Sequence, residues 1–117
     1  MTDERSLAKA RNFDIWLEDH GLLVLDGHFE YEDGGAQGMG YCVDTAFLMR
    51  FLVAFGVDHL QKVNGKSCWV THTNDKISKI EPLHKKDGEA FDIPTWREWA
   101  KKQPGVSPYE MRTGKKP

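Results

Sequence analysis

The sequence predicts a single α+β domain: an antiparallel sheet of about five short strands, one main amphipathic helix packed on it, and a short C-terminal helix. Three observations predict it. Phe13, Ile15 and Leu17 alternate with Asp14, Trp16 and Glu18, and, after the apolar run Leu22 to Leu25, Phe29 and Tyr31 alternate with His28, Glu30 and Glu32, the two-residue period of a strand. Phe47, Leu48, Phe51, Leu52 and Phe55 form one continuous apolar stripe at helical spacing. Between these segments lies the cluster Gly34, Gly35, Gly38 and Gly40, a concentration expected where the backbone turns or is closely approached.

Residues 1–11 are polar and read as a leader, frayed or weakly helical. The domain is therefore expected over 12–103, and 104–117, rich in Pro, Gly and charge, reads as a flexible tail. Phe13, Ile15 and Leu17 alternate with Asp14, Trp16 and Glu18 in a first strand, and Asp19-His20-Gly21 supplies turn chemistry. The second strand follows, with Asp26-Gly27 either a bulge or a further turn. After the glycine loop, Met39, Tyr41 and Val43 make a short third strand, which completes a meander.

Asp44 stands at an N-cap position, and Gly56 follows the helix as its C′ residue. Asp58 is placed to cap a short turn through Leu60 and Val63, closed by Asn64-Gly65. Residues 67–73 and 76–83 read as a hairpin around Thr73-Asn74-Asp75. Ile77 and Ile80 break strict alternation, so a kink is expected in the second arm. Asp92 and Pro94 are start signals for a helix whose Trp96 and Trp99 share one face and are expected to pack on the sheet.

The length of 117 residues fits one domain, and a hydrophobic content of 39% with four Trp suffices for a core. No apolar run approaches the roughly 20 residues that span a bilayer. The opening MTDERSLAKARN lacks the apolar centre of a signal peptide, so a cytoplasmic chain is expected, with Cys42 and Cys68 as reduced thiols. The net charge of −2 conceals an asymmetry: residues 1–60 carry 11 acidic against 4 basic side chains, and residues 61–117 carry 7 against 12. No Lys or Arg occurs from Asp14 to Met49. A region of one sign steers partners of the other, although a solvated sheet face has the same composition.

No catalytic constellation is visible. The glycines run G-G-x-x-G-x-G, which is neither a dinucleotide fingerprint nor a P-loop, and Leu60 stands where Gly65-Lys66-Ser67 needs its first loop glycine. The five histidines are dispersed, and no helical pair has metal-ligand spacing. His20 and His28 with Asp19 or Asp26 are the one arrangement that a hairpin can bring together. No catalytic residue, metal or cofactor is therefore expected. Trp16 and Trp69 are candidates for base stacking, but Asp14 and Glu18 flank the first. The candidate partner-binding residues are Glu30, Glu32, Asp33, Trp16 and Tyr31. The loop of Gly34, Gly35, Gln37, Gly38, Gly40 and Tyr41 is either structural or a ligand cradle, and the fold is expected to depend on Gly38 and Gly40.

The order E-D-H-G-L-L at 18–23, G-G-A-Q-G-M-G-Y at 34–41, an apolar helix, F-G-V at 55–57, N-G-K at 64–66 and I-S-K-I-E-P-L at 77–83 resembles a widespread small protein family of tailed bacteriophages and prophages. The similarity covers roughly residues 18–91, and the chain departs from the family pattern at Met39, where an aromatic is usual, and by one glycine fewer before Tyr41. The resemblance implies a phage setting in the host cytosol and carries over no catalytic residue. The expected function is that of a non-enzymatic phage accessory protein that binds a host or defence protein through its acidic N-terminal face. Two alternatives stay open: an accessory of phage DNA replication or recombination that contacts nucleic acid through the basic C-terminal half, and a small-ligand or nucleotide binder using the glycine loop.

Overall fold

The structure is a computed structural model that describes residues 4–73 and 76–102. Its elements are β1 (Glu4–Leu17), β2 (Leu23–Tyr31), β3 (Ala36–Cys42), α1 (Thr45–Phe55), β4 (Ser67–Thr73), β5 (Lys76–Pro82), β6 (Phe91–Asp92) and α2 (Ile93–Lys101), with 3-10 turns at Leu60–Lys62 and Lys85–Asp87. The strands form one six-stranded sheet in the order β3-β2-β1-β4-β5-β6, every pairing antiparallel. The class is α+β as expected, with six strands rather than five. The additional strand is β6, two residues long.

The first correction concerns the leader. Residues 4–11 are the first half of β1, which pairs with β2 on one side and β4 on the other, so the sheet begins at Glu4 rather than at residue 12. The inward positions there are Ala8 and Ala10, both buried, while Lys9 and Arg11 point outward. Alanines inside and cations outside make a weak strand signal that reads as a polar leader. The expected tail at 104–117 and the Asn74-Asp75 turn lie outside the described residues.

A second correction concerns Asp26-Gly27. β2 runs through this dipeptide unbroken, and the irregularity lies on β1, between Arg11 and Asp14, with Asn12 at φ 57°. Gly27 serves the neighbouring strand: a Cβ there would stand 2.5 Å from the Phe13 ring and 2.8 Å from Phe13 Cα. The expected kink in β5 is present as a register shift opposite Thr71/His72, and it lets Ile77 and Ile80, three apart, both face the core.

Both predicted caps of α1 are formed. The Asp44 carboxylate accepts from the Phe47 N–H at 2.8 Å, and Gly56 closes the helix at φ 66°. Phe47, Phe51 and Phe55 are buried, and Leu48 and Leu52 pack at the margin of the core. Phe51 meets the rings of Phe13 and Phe55 at centroid distances of 5.2 and 5.1 Å. Asp58 does not cap the following turn: His59 holds that position without a side-chain bond, and the Asp58 carboxylate accepts from Lys62 and His59 instead. These two partners hold its carboxyl far below the usual carboxylate range, Lys62 contributing most.

α2 starts as predicted, the Asp92 carboxylate accepting from the Thr95 N–H at 3.0 Å with Pro94 in the first turn. Its tryptophans divide. Trp96 packs edge-on against Phe47 and Phe91, whereas Trp99 is 58% exposed.

Candidate functional site

The hairpin of β2 and β3 positions one side of the site. Its turn is 32–34: the Gly34 N–H bonds the Tyr31 carbonyl, the Tyr31 N–H bonds the Gly35 carbonyl, and Gly34 sits at φ 95°, the left-handed position that ends such a three-residue loop. The Asp33 carboxylate fastens the turn by accepting from the Gly35 N–H at 2.8 Å. Gly34 thus has a backbone reason to be glycine. Gly38 and Gly40 have none among the described residues: both lie in β3 without positive φ, and a Cβ added there would come no nearer than 3.9 and 3.6 Å to a described neighbour. The expectation that the fold depends on these two glycines is therefore corrected.

The sheet curls so that β3, one of its edges, comes opposite the start of β5. The Tyr41 hydroxyl crosses the opening and donates to the Ile77 carbonyl at 3.1 Å. The groove between them has a volume of about 690 Å³, with Gly38 to Tyr41 on one side, Lys76 to Ser78 on the other, and Ile93, Pro94, Arg97, Glu98 and Lys101 of α2 across it. The Arg97 guanidinium lies 4.7 Å from the Tyr41 ring centroid and 5.9 Å from that of Phe47. Lys101 Nζ stands 3.5 Å from a Glu98 carboxylate oxygen. The rim thus carries three cations against one carboxylate. Lys76, Arg97 and Lys101 were absent from the sequence expectations; the one available signal was the i, i+4 spacing of Arg97 and Lys101 on a helix.

The predicted partner-binding residues do not form one patch. Trp16 pairs with Val24 and Tyr31 with Ala8, at opposite ends of β2 and roughly 23 Å apart at 3.3 Å per residue. Trp16 is 48% exposed and donates from its indole N–H to Asp26 at 2.9 Å. Tyr31 faces inward, donates to Gln37 Oε1 at 2.7 Å, and stacks at 5.3 Å on His72, whose Nε2 is 3.3 Å from Ser6 Oγ. Burial raises the Tyr31 phenol above its ordinary value, and the nearby Asp33, Cys68 and Glu4 add to the shift. Gln37 Nε2 is buried and has no acceptor among the described residues. Glu30 accepts from Arg11 at 2.7 Å and stands opposite Lys9; that bond chiefly holds its carboxyl below the usual range. Glu32 and Asp33 are exposed at the hairpin tip.

The Glu18 carboxylate organises the β1–β2 turn: it accepts from the His20 N–H and ring Nδ1 and from the Leu22 N–H, at 2.6, 2.9 and 3.2 Å. The His20 contact is the main reason its pKa is lowered. His20 and His28 do not converge on a metal-ligating set, and no group of three or more such side chains occurs among the described residues. Both thiols are free, Cys42 exposed on β3 and Cys68 buried on β4. No helix among the described residues is long and apolar enough to cross a membrane. Comparison with protein-family models, with curated proteins and with solved structures finds no match to this chain.

Proposed function

We propose that this chain is a non-enzymatic accessory protein of a tailed phage that acts in the host cytosol by binding a protein partner, and that the contact is made at the free edge of β3 and the groove beside it. The phage setting rests on the motif resemblance. The observation that carries the binding reading is the state of the edge. Natural sheets protect their edges with lysine, proline, bulges or a covering element, whereas β3 reads AQGMGYC, without charge or proline, and pairs evenly with β2 from Ala36 to Cys42. An uncharged, regular edge with no strand neighbour among the described residues is a template for another chain. The acidic-face version of the same function has less support, because Lys9 and Arg11 stand beside Glu30 and break the one-sign surface.

The test is affinity capture from an infected host lysate with the wild-type chain and with Gly38→Pro. Proline removes an edge N–H that no internal strand uses and is tolerated at such positions. Loss of the captured partner from a variant with unchanged circular dichroism is the expected result. Equal capture by both proteins overturns the assignment to β3.

A second reading, nucleic-acid contact by the basic half, is favoured by a surface cleft of about 860 Å³ whose lining includes Lys62, Lys66 and Lys86. Asp58 and Asp87 share that lining, and Asp58 already pairs with Lys62 at 2.8 Å. Salt-sensitive retention of duplex DNA that is lost in Lys66→Glu/Lys86→Glu is the result that favours this reading over the first.

A further inference from the structure

We infer that the groove takes an extended acidic peptide segment, which adds as a strand between β3 and the start of β5. This rests on the protein-binding reading above and names the chemistry of the occupant. Three independent features of the groove converge on it.

The first is backbone polarity. The Tyr31 N–H bonds Gly35 and the Val43 N–H bonds Leu23, so the odd-numbered residues of the 35–43 arm turn their backbone groups toward β2. Antiparallel alternation then turns the N–H and C=O of Gly38 and Gly40 out from the free edge. Across the groove, β6 pairs only with Lys79 and Ile80, so Lys76 to Ser78 have no strand neighbour on that side among the described residues, and the Ile77 carbonyl accepts from the Tyr41 hydroxyl. Two open strand edges thus face each other.

The second feature is the residue type. Nothing among the described residues requires glycine at 38 or 40, since neither has positive φ and each has room for a side chain. Glycine inside a strand weakens it, and where the fold gives no reason it marks a place where another backbone approaches closely.

The third is charge. Lys76, Arg97 and Lys101 outnumber Glu98 at the rim, while Tyr41, half-buried, and Pro94, exposed, give the groove apolar surface. A ligand strand that alternates apolar residues with Asp or Glu satisfies both. The strip Gly38 to Tyr41 accommodates about four of its residues, roughly 13 Å. A second copy of this chain fits less well: β5 and α2 wall the far side of the edge, and a symmetric pairing would set the same three cations against themselves.

The experiment is selection of a displayed random nine-residue peptide library on the intact chain, followed by amide hydrogen exchange with the synthesised winner. Enriched peptides are expected to be net acidic with apolar residues at alternate positions. Their binding should protect the Gly38 and Gly40 amides and weaken as salt rises. Lys76→Glu/Lys101→Glu should reduce affinity by about tenfold or more at low salt with an unchanged melting temperature. Absence of enrichment, enrichment of basic or neutral peptides, or protection away from β3 overturns the inference. If lysate capture still depends on the β3 edge in that event, the binding reading survives without the acidic segment. If capture ignores the Gly38→Pro change, the binding reading itself falls.

Discussion

The side-chain amide of Asn64 pairs with both backbone polar groups of Phe13: its Oδ1 accepts from the Phe13 N–H at 2.7 Å, and its Nδ2 donates to the Phe13 carbonyl at 3.1 Å. One side chain thus acts as a strand neighbour at the bulge of β1, where β4 no longer reaches. The backbone bonds from Ala10 to Gly65 and Lys66 bring Asn64 to that position. Asn64→Ala should leave two part-buried backbone groups without partners and cost about 1–3 kcal/mol, read from the urea midpoint. An unchanged midpoint would show that water replaces the amide freely.

Phe51 is 0% exposed and touches two further aromatic rings. Phe51→Ala is expected to cost about 3–5 kcal/mol, the range for removing a packed aromatic side chain from a core. Denaturation at the wild-type midpoint would contradict the placement of α1 over the sheet.

Glycine substitutions should separate two environments on adjacent strands. Gly27→Val sets a side chain against the Phe13 ring and backbone, and should destabilise by at least about 1–3 kcal/mol. Gly40→Val meets nothing closer than 3.6 Å and should leave thermal stability unchanged or slightly raised. The reverse order of melting temperatures would overturn this description of β2 and β3.

The two thiols should differ in reactivity. Burial pushes the Cys68 thiol up to about 12 from an ordinary 9.0, while Cys42 is exposed. At pH 8 one thiol per chain should react rapidly with a disulfide reagent and the second only after denaturation. The sign for stability follows from proton binding: between the unfolded and folded values only the native state keeps the Cys68 proton, so stability falls as pH rises from about 9 toward 12. Cys68→Ser should flatten that limb, and an unaltered alkaline slope would assign it to other groups.

Charge reversal of Glu30, Glu32 and Asp33 to Lys removes the pair with Arg11 and the Asp33 bond to the Gly35 N–H, all at exposed positions, and should loosen the hairpin tip while leaving the core intact. With the β3 groove as the contact, on-rates for the captured partner should be equal or faster. A marked slowing at low salt would return the contact to the acidic surface, since rim charges act mainly on encounter.

Both ends of α1 were legible in the sequence because capping is local: Asp44 and Phe47 are three residues apart, and Gly56 needs only its own dihedral freedom. The kink in β5 was legible for the same reason, two isoleucines at a spacing that a regular strand cannot bury together. The first half of β1 was not, because its small inward alanines are specified by the strands on either side rather than by their own hydrophobicity. The groove was further out of reach. Tyr41 and Ile77 are 36 residues apart, and they meet only because the sheet curls until an edge strand faces the fifth strand in sequence. Residue type and spacing determine which segments become strands and helices, since those preferences act within a turn or a pleat. Which free edge faces which cations is decided by sheet order and curvature, and these arise only when distant segments bury a common core.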